Sequence, residues 1–340
     1  MTGRERIRAI ISGRSADRCG FWLGAPHERS WPLYFRHFGV DTEEEVRERL
    51  GDDFRWIRPA ACKPLFKSPA QITHAGEGPL ARCRSVADLD AAFDWPRPDQ
   101  LDFGEALQRL RQAGDHYRAS GFTVPFFHKL MSLFGMETYL VNLYENPELV
   151  HAATDRVCEF YYEANQRFFS EAGDEVDGFF FGNDFGTQRA LLVSPEHMQE
   201  FVMPWFRRFT EQAHRHGCQV ILHSCGSIYG VIEDLIDAGV DCLHPLQARA
   251  CGMDAETLAR DFRGRVAFMG GIDTQHLLVR GNPEEVKADV RRVKQLLGPR
   301  LIVSPSHEAL LPNVPPENVA AMAEAARTQT ENGEMAWNPG

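Results

Sequence analysis

The sequence has no long apolar run, no block of one charge and no pairing rhythm among its cysteines, and each absence removes a class of protein. No apolar stretch approaches the ~18 residues that a membrane helix requires. The N-terminus, Met1-Thr2-Gly3-Arg4-Glu5-Arg6, is charged and is not followed by an apolar signal core. The 37 Lys and Arg residues are interspersed with 48 Asp and Glu, a net charge of −11, so no nucleic-acid surface is expected. Eight cysteines, at 19, 62, 83, 158, 218, 225, 242 and 251, do not follow a disulfide framework. In a chain this long without a signal they read as reduced thiols, most of them small core residues, and a cytoplasmic location is expected.

What the chain does have is length and alternation. Its 340 residues, 43% hydrophobic, are ample for one large core. The length suits a (β/α)₈ barrel, about 250 residues, with one insertion. Thr2 and Glu5 form a Thr-x-x-Glu capping box ahead of Ile7, Ile10 and Ile11, which predicts an opening helix. Eight short apolar runs follow, at Phe21–Gly24, Phe54–Ile57, Thr123–His128, Val176–Gly182, Gln219–His223, Asp241–Pro245, Val266–Gly270 and Leu301–Ser304. Between most of them lie segments of 3.6-residue period, such as Glu196–His216 after Ser194-Pro195 and Pro283–Leu297 after Asn282. Strand–helix alternation implies parallel strands with crossover helices, and eight units suggest a closed barrel. One domain is expected over residues 1–328. The proline-rich stretch 58–100, with short runs at Gln71–Ala75 and Leu80–Cys83, reads as an insertion near one mouth that could form a small hairpin. Residues 329–340 read as a loosely held tail.

A barrel of this kind carries its chemistry at the C-terminal ends of its strands. Ligand-type polar residues gather at that end of nearly every predicted strand: His128, Gly182-Asn183-Asp184, His223-Ser224-Cys225-Gly226, His244-Pro245-Leu246-Gln247, Gly271-Ile272-Asp273-Thr274-Gln275 and Ser306-His307-Glu308. His223 and Cys225, two apart, can both turn into the mouth, where imidazole and thiolate suit Zn²⁺. His307 is a third ligand type further round. Asp184 reads as a fourth ligand, as an outer group holding a ligand imidazole, as a general acid/base or substrate contact, or as a turn cap. Asp273 reads equally as a substrate contact or as the N-cap of a helix from Thr274 to Val279. Gln247 reads as a substrate amide contact or a rim hydrogen bond, and His128 as functional or as a satisfied core histidine. Asn183 and Gln275 complete the candidate substrate contacts. His244 and Cys242 flank an apolar strand and read as core, as do Phe179-Phe180-Phe181 and most of Phe122–Phe127.

The motifs Gly-Asn-Asp-Phe-Gly-Thr-Gln (182–188), Ser-Pro-Glu (194–196), His-Ser-Cys-Gly (223–226), Gly-Val-Asp-Cys-Leu-His-Pro-Leu-Gln (239–247), Met-Gly-Gly-Ile-Asp-Thr-Gln (269–275), Ser-Pro-Ser-His (304–307) and Val-Pro-Pro-Glu-Asn-Val (314–319) together resemble the uroporphyrinogen decarboxylase superfamily. The resemblance is strong over roughly 175–325 and elsewhere lies in layout. It implies a TIM barrel and one of two chemistries: cofactor-free decarboxylation of a tetrapyrrole, or zinc-assisted methyl transfer between a methyl-corrinoid and a thiol. The decarboxylase carries an Arg-Gln-Ala-Gly-Arg stretch whose arginines grip substrate carboxylates. Here that place reads Phe21-Trp22-Leu23-Gly24-Ala25-Pro26-His27-Glu28-Arg29, leaving at best Arg29, which counts against a porphyrinogen substrate. The methyltransferases take zinc on His-x-Cys after strand five and on a Cys after strand eight. This chain matches the first pair with His223 and Cys225 and departs at the third, where it has His307.

The resemblance thus favours a zinc-dependent methyltransferase with His223, Cys225 and His307 as metal ligands and Asp184 and His307 as catalytic groups. No Asp-x-His-x-x-Gly corrinoid-ligating motif surrounds any of the thirteen histidines, so a separate corrinoid protein is implied as partner. The alternative is a metal-free decarboxylase or other lyase in which Asp184 or His307 handles the proton. A corrinoid or tetrapyrrole carrier would use the same mouth for binding alone.

Overall fold

The computed structural model describes residues 1–59 and 77–328. Eight parallel strands form a nearly closed barrel: β1 (Gly20–Phe21), β2 (Phe54–Trp56), β3 (Tyr117–Ser120), β4 (Gly178–Gly182), β5 (Gln219–His223), β6 (Cys242–His244), β7 (Ala267–Ile272) and β8 (Leu301–Pro305). Helices alternate with them, as in a (β/α)₈ TIM barrel. Ladders run from β1 through β8 and back down to β2. The last gap is bridged at Asp53, whose N–H donates to the Phe21 carbonyl at 3.0 Å while its side chain accepts the Phe21 N–H at 3.0 Å.

Strand alternation sorts the core into two layers. Trp22, Phe54, Tyr117, Ala119, Phe180, Ile221, Cys242, Ala267, Met269 and Ile302 pack inside the barrel. Their strand neighbours, such as Phe21, Phe179, Phe181, Val220, Leu222, Leu243, Phe268 and Val303, face the helices. The opening helix α1 (Gly3–Ile11) has the capping box that Thr2 and Glu5 predict, and it closes the N-terminal end of the barrel by adding Ile7, Ile10 and Ile11 to the inner layer. Charge pairs seal that end. Arg6 bonds Asp53 at 2.7 Å, and the fully buried Asp177 accepts from Arg4 and Arg8, each at 2.8 Å, and from Arg118.

One predicted strand is displaced. Thr123–His128 is not β3; the strand lies earlier, and Phe126–Phe134 is a helix. The true strand Tyr117-Arg118-Ala119-Ser120 reads as polar because its outward Arg118 is buried only by pairing with Asp177 and Glu175. Pro125, which cannot donate to a ladder, marks the run after it as unsuited to a central strand. Part of the expected insertion, including Gln71–Ala75 and Cys62, lies outside the described residues, as does the expected tail. Of the rest, Leu80–Cys83 is a turn docked by the Leu80 N–H on the Leu133 carbonyl, and Val86–Ala92 is a short helix. The seven described cysteines are all unpaired thiols. Among the described residues no helix is long and apolar enough to cross a membrane.

Candidate metal centre and active site

The inward parity of each strand continues one step past the apolar core, and there the side chains become polar. His223 ends β5, and its ladder partner across to β6 is His244. Cys225 follows in a turn that Gly226 makes possible: its φ is +82°, and a Cβ there would lie 2.3 Å from the Gly186 carbonyl oxygen. The loops after β4 and β5 therefore pack backbone to backbone, joined by the Ser227 N–H to the Thr187 carbonyl at 2.7 Å. This brings Asp184 over Cys225.

Asp184, His223 and Cys225 converge. Asp184 Oδ1 accepts the Cys225 N–H at 2.9 Å and lies 3.3 Å from His223 Nε2. Cys225 Sγ lies 3.5 Å from the same nitrogen. One ligand atom from each of the three residues falls within 4.8 Å of the others. Ligands at tetrahedral zinc, held at about 2.0–2.3 Å, are separated by roughly 3.3–3.8 Å, so both measured distances suit edges of such a tetrahedron. Thiolate, imidazole and carboxylate are also the donor types zinc takes. The set fits the ion.

On the far side of its ring, His223 Nδ1 meets His244 Nδ1 at 3.0 Å and lies 3.5 Å from Glu308 Oε2. Glu308 Oε2 is also 3.4 Å from His307 Nδ1, a nitrogen that already accepts the Ala309 N–H at 3.0 Å. His223, His244 and Glu308 form a second group of ligand type. His307 belongs to neither group; it stands against Cys225, and its ring centroid is 6.4 Å from that of His223. His128 reaches the cluster from the helix that replaces the expected strand, with Nε2 3.7 Å from Asp184 Oδ2.

These contacts set the charges. Burial alone would push His223 down, but Asp184 and Cys225, with Glu308, raise it well above the usual imidazole value. Burial raises Asp184, yet His223 and the Cys225 N–H outweigh it and hold the carboxyl well below its ordinary range. Contact with Cys225 raises His307, with Glu308 adding to it. Burial lowers His244 strongly, and the charges on His223 and His307 add to that. Burial likewise lowers His128. Without a metal, these contacts favour the charged form of His223 and the neutral form of His244 beside it.

The other sequence candidates are distributed around this cluster. Asn183 is buried and its amide is used by the backbone: Oδ1 accepts the Phe127 N–H at 2.9 Å and Nδ2 donates to the Val124 carbonyl at 3.0 Å. It holds the start of the helix that carries His128. Gln247 Oε1 accepts from the Gly226 N–H at 3.0 Å and from Gln188. Asp273 accepts the Gln275 N–H at 2.8 Å and so shapes the turn entering the next helix. Gln247, Asp273, Gln275 and His307 nonetheless share the wall of one cavity, about 430 Å³, at the ends of β6, β7 and β8. Sequence reasoning missed two members of the site: His244, assigned to the core, and Glu308, given no role. The register of β5 with β6 was the available signal for the first.

The Uroporphyrinogen decarboxylase (URO-D) family model matches residues 73–329. No curated protein sequence matches the chain. Among solved structures, a methyltransferase from Methanosarcina mazei shares the fold with a TM-score of 0.70 at 16% identity, over 96% of this chain and 98% of that one. A candidate vitamin-B12 independent methionine synthase from Listeria monocytogenes aligns at a TM-score of 0.46 and 12% identity, over 92% of this chain and 98% of that one. With three quarters of its length under the family model, this barrel belongs to the uroporphyrinogen decarboxylase (URO-D) family.

Proposed function

We propose that the chain is a zinc-dependent methyltransferase that moves a methyl group between a corrinoid carried by a separate protein and a thiol or small methylated substrate. The observation that carries this reading is the convergence of Asp184 Oδ1, His223 Nε2 and Cys225 at spacings that suit tetrahedral zinc. Asp184 takes the third place that the sequence motifs assign to His307. Zinc bound there would lower the pKa of a substrate thiol enough to make it a thiolate at neutral pH.

The chain's own residues supply the rest. The Cys225 N–H fixes Asp184, so that carboxylate is aimed before any ligand arrives. His307, raised by its contact with Cys225, lies against the cluster and also lines the cavity, where its contacts favour the charged form. Gln247, Asp273 and Gln275 line a space within the ~300–1,000 Å³ range of small-molecule pockets. Arg29 is exposed and bonds through its backbone N–H to His27, so no arginine pair grips a polycarboxylate at this stretch. The corrinoid comes from a partner because this sequence carries no ligating motif for it.

A metal-free lyase is favoured by one observation, the placement of His223 between the carboxylates of Asp184 and Glu308, which favours its charged form and would let it return a proton to a carbanion. Metal analysis combined with a methylcobalamin–thiol assay separates the two. The methyltransferase reading expects about one zinc per chain, with metal and methyl transfer both lost in Cys225→Ala. A folded wild-type protein that retains no zinc and demethylates nothing would overturn it and favour the lyase.

A further inference from the structure

We infer that His244 is a positioning residue that turns the Nε2 face of His223 toward the metal, an inference that rests on the zinc reading above. The two Nδ1 atoms face each other at 3.0 Å, so one proton lies between them. That proton belongs to His223. Its Nδ1 also lies 3.5 Å from the carboxylate oxygen Glu308 Oε2, whose charge favours a proton on that nitrogen, whereas the rings beside His244 are Trp22 and Phe180, each with a centroid 5.2 Å away. With Nδ1 protonated and donating to His244, the lone pair of a neutral His223 sits on Nε2, the atom beside Asp184 and Cys225. Metal-bound imidazoles are generally held this way by an acceptor on the other nitrogen.

The burial of His244 is otherwise hard to account for. The residue is 1% exposed, and its Nε2 has no hydrogen-bond partner among the described residues. A buried polar atom left without a partner is destabilising, so an apolar side chain would serve folding better. The imidazole therefore serves the site rather than the core. Its backbone is also committed to placing the ring: the His244 carbonyl accepts the Ser224 N–H at 2.9 Å, between the two proposed ligands His223 and Cys225.

Three variants, His244→Leu, His244→Asn and Cys225→Ala, test this by zinc affinity under chelator competition, with thermal unfolding of each metal-free protein alongside. Asn retains an oxygen near the Nδ1 position and Leu does not. The expected result is a zinc affinity about 10–100-fold weaker in His244→Leu, with an unfolding temperature no lower than wild type, and recovery of most of the affinity in His244→Asn. Unchanged zinc affinity in His244→Leu, while Cys225→Ala loses the metal, would overturn this inference and leave the zinc reading standing. Two zinc ions per chain would also overturn it, because the Nδ1 face would then be a ligand face. If wild type holds no zinc, the zinc reading fails by itself, and ¹⁵N NMR of the metal-free protein still decides the geometry. It should show His244 bare on Nδ1 and protonated on Nε2; the opposite tautomer would contradict the inference.

Discussion

The two ends of the barrel handle buried polarity in opposite ways. At the N-terminal end most charges are paired and multiply hydrogen-bonded, Arg300 Nε being the exception among the described residues: Asp177 accepts from three arginines, and Asp53 joins Arg6, Arg18 and the Phe21 N–H. At the C-terminal end, Trp22 Nε1, Trp56 Nε1, His244 Nε2, Ser304 Oγ and Glu308 Oε2 are buried without a hydrogen-bond partner among the described residues. Four of these five belong to the inward layer just above the apolar core. A folded chain tolerates such groups where something other than folding selects them. The lower end holds the barrel shut; the upper end is arranged for a guest.

That contrast can be broken by substitution. Asp177→Ala would strand three arginines around a buried gap, and we expect it to destabilise by about 3–5 kcal/mol while the zinc affinity of the folded fraction is unchanged. Chemical denaturation and metal titration on the same sample check both halves. Cys225→Ala should do the reverse, removing the metal and leaving metal-free stability within about 1 kcal/mol of wild type.

Acidity sharpens the comparison. His223 is raised above 6.5, so its contribution to metal-free stability is complete below that pH and is lost as pH climbs through the raised value. Asp184 is lowered from 3.8, so its contribution is present above that pH and is lost as pH falls. The metal-free mouth should be most stable between about pH 4 and 6.5. Zinc must displace the His223 proton, so its affinity should rise as pH increases above 6.5, with proton release measurable by calorimetry in two buffers. The deficit of Asp177→Ala should be flat over the same range, since arginine does not titrate there. The smallest effect is expected at the plug helix, where Thr2→Ala should cost about 1 kcal/mol through loss of the cap.

Much of this was legible because strand parity is a local property. The run Gln219–His223 coincides with β5, and the His-x-Cys spacing at its end allows both side chains to turn into the mouth, where the Gly226 turn and the β4 loop bring Cys225 beside Asp184. Asp184 was legible as the polar group at the end of β4. What escaped depends on contacts between distant segments. Arg118 disguised β3 because its partners Glu175 and Asp177 lie some sixty residues away. His244 looked like core because its neighbour Leu243 is core, and only the pairing of β5 with β6 sets it against His223. His307 reads as a third ligand type from its place after the eighth strand, and the resemblance puts it at the third zinc position. In the structure that imidazole bonds the Ala309 N–H and leans on Cys225, while Asp184 enters the group.

X-ray absorption at the zinc edge of the loaded wild-type protein tests the central claim most directly. Coordination by Asp184, His223 and Cys225 predicts four-coordinate zinc with one sulfur at about 2.3 Å and nitrogen or oxygen neighbours at about 2.0–2.2 Å. A first shell without sulfur would contradict it.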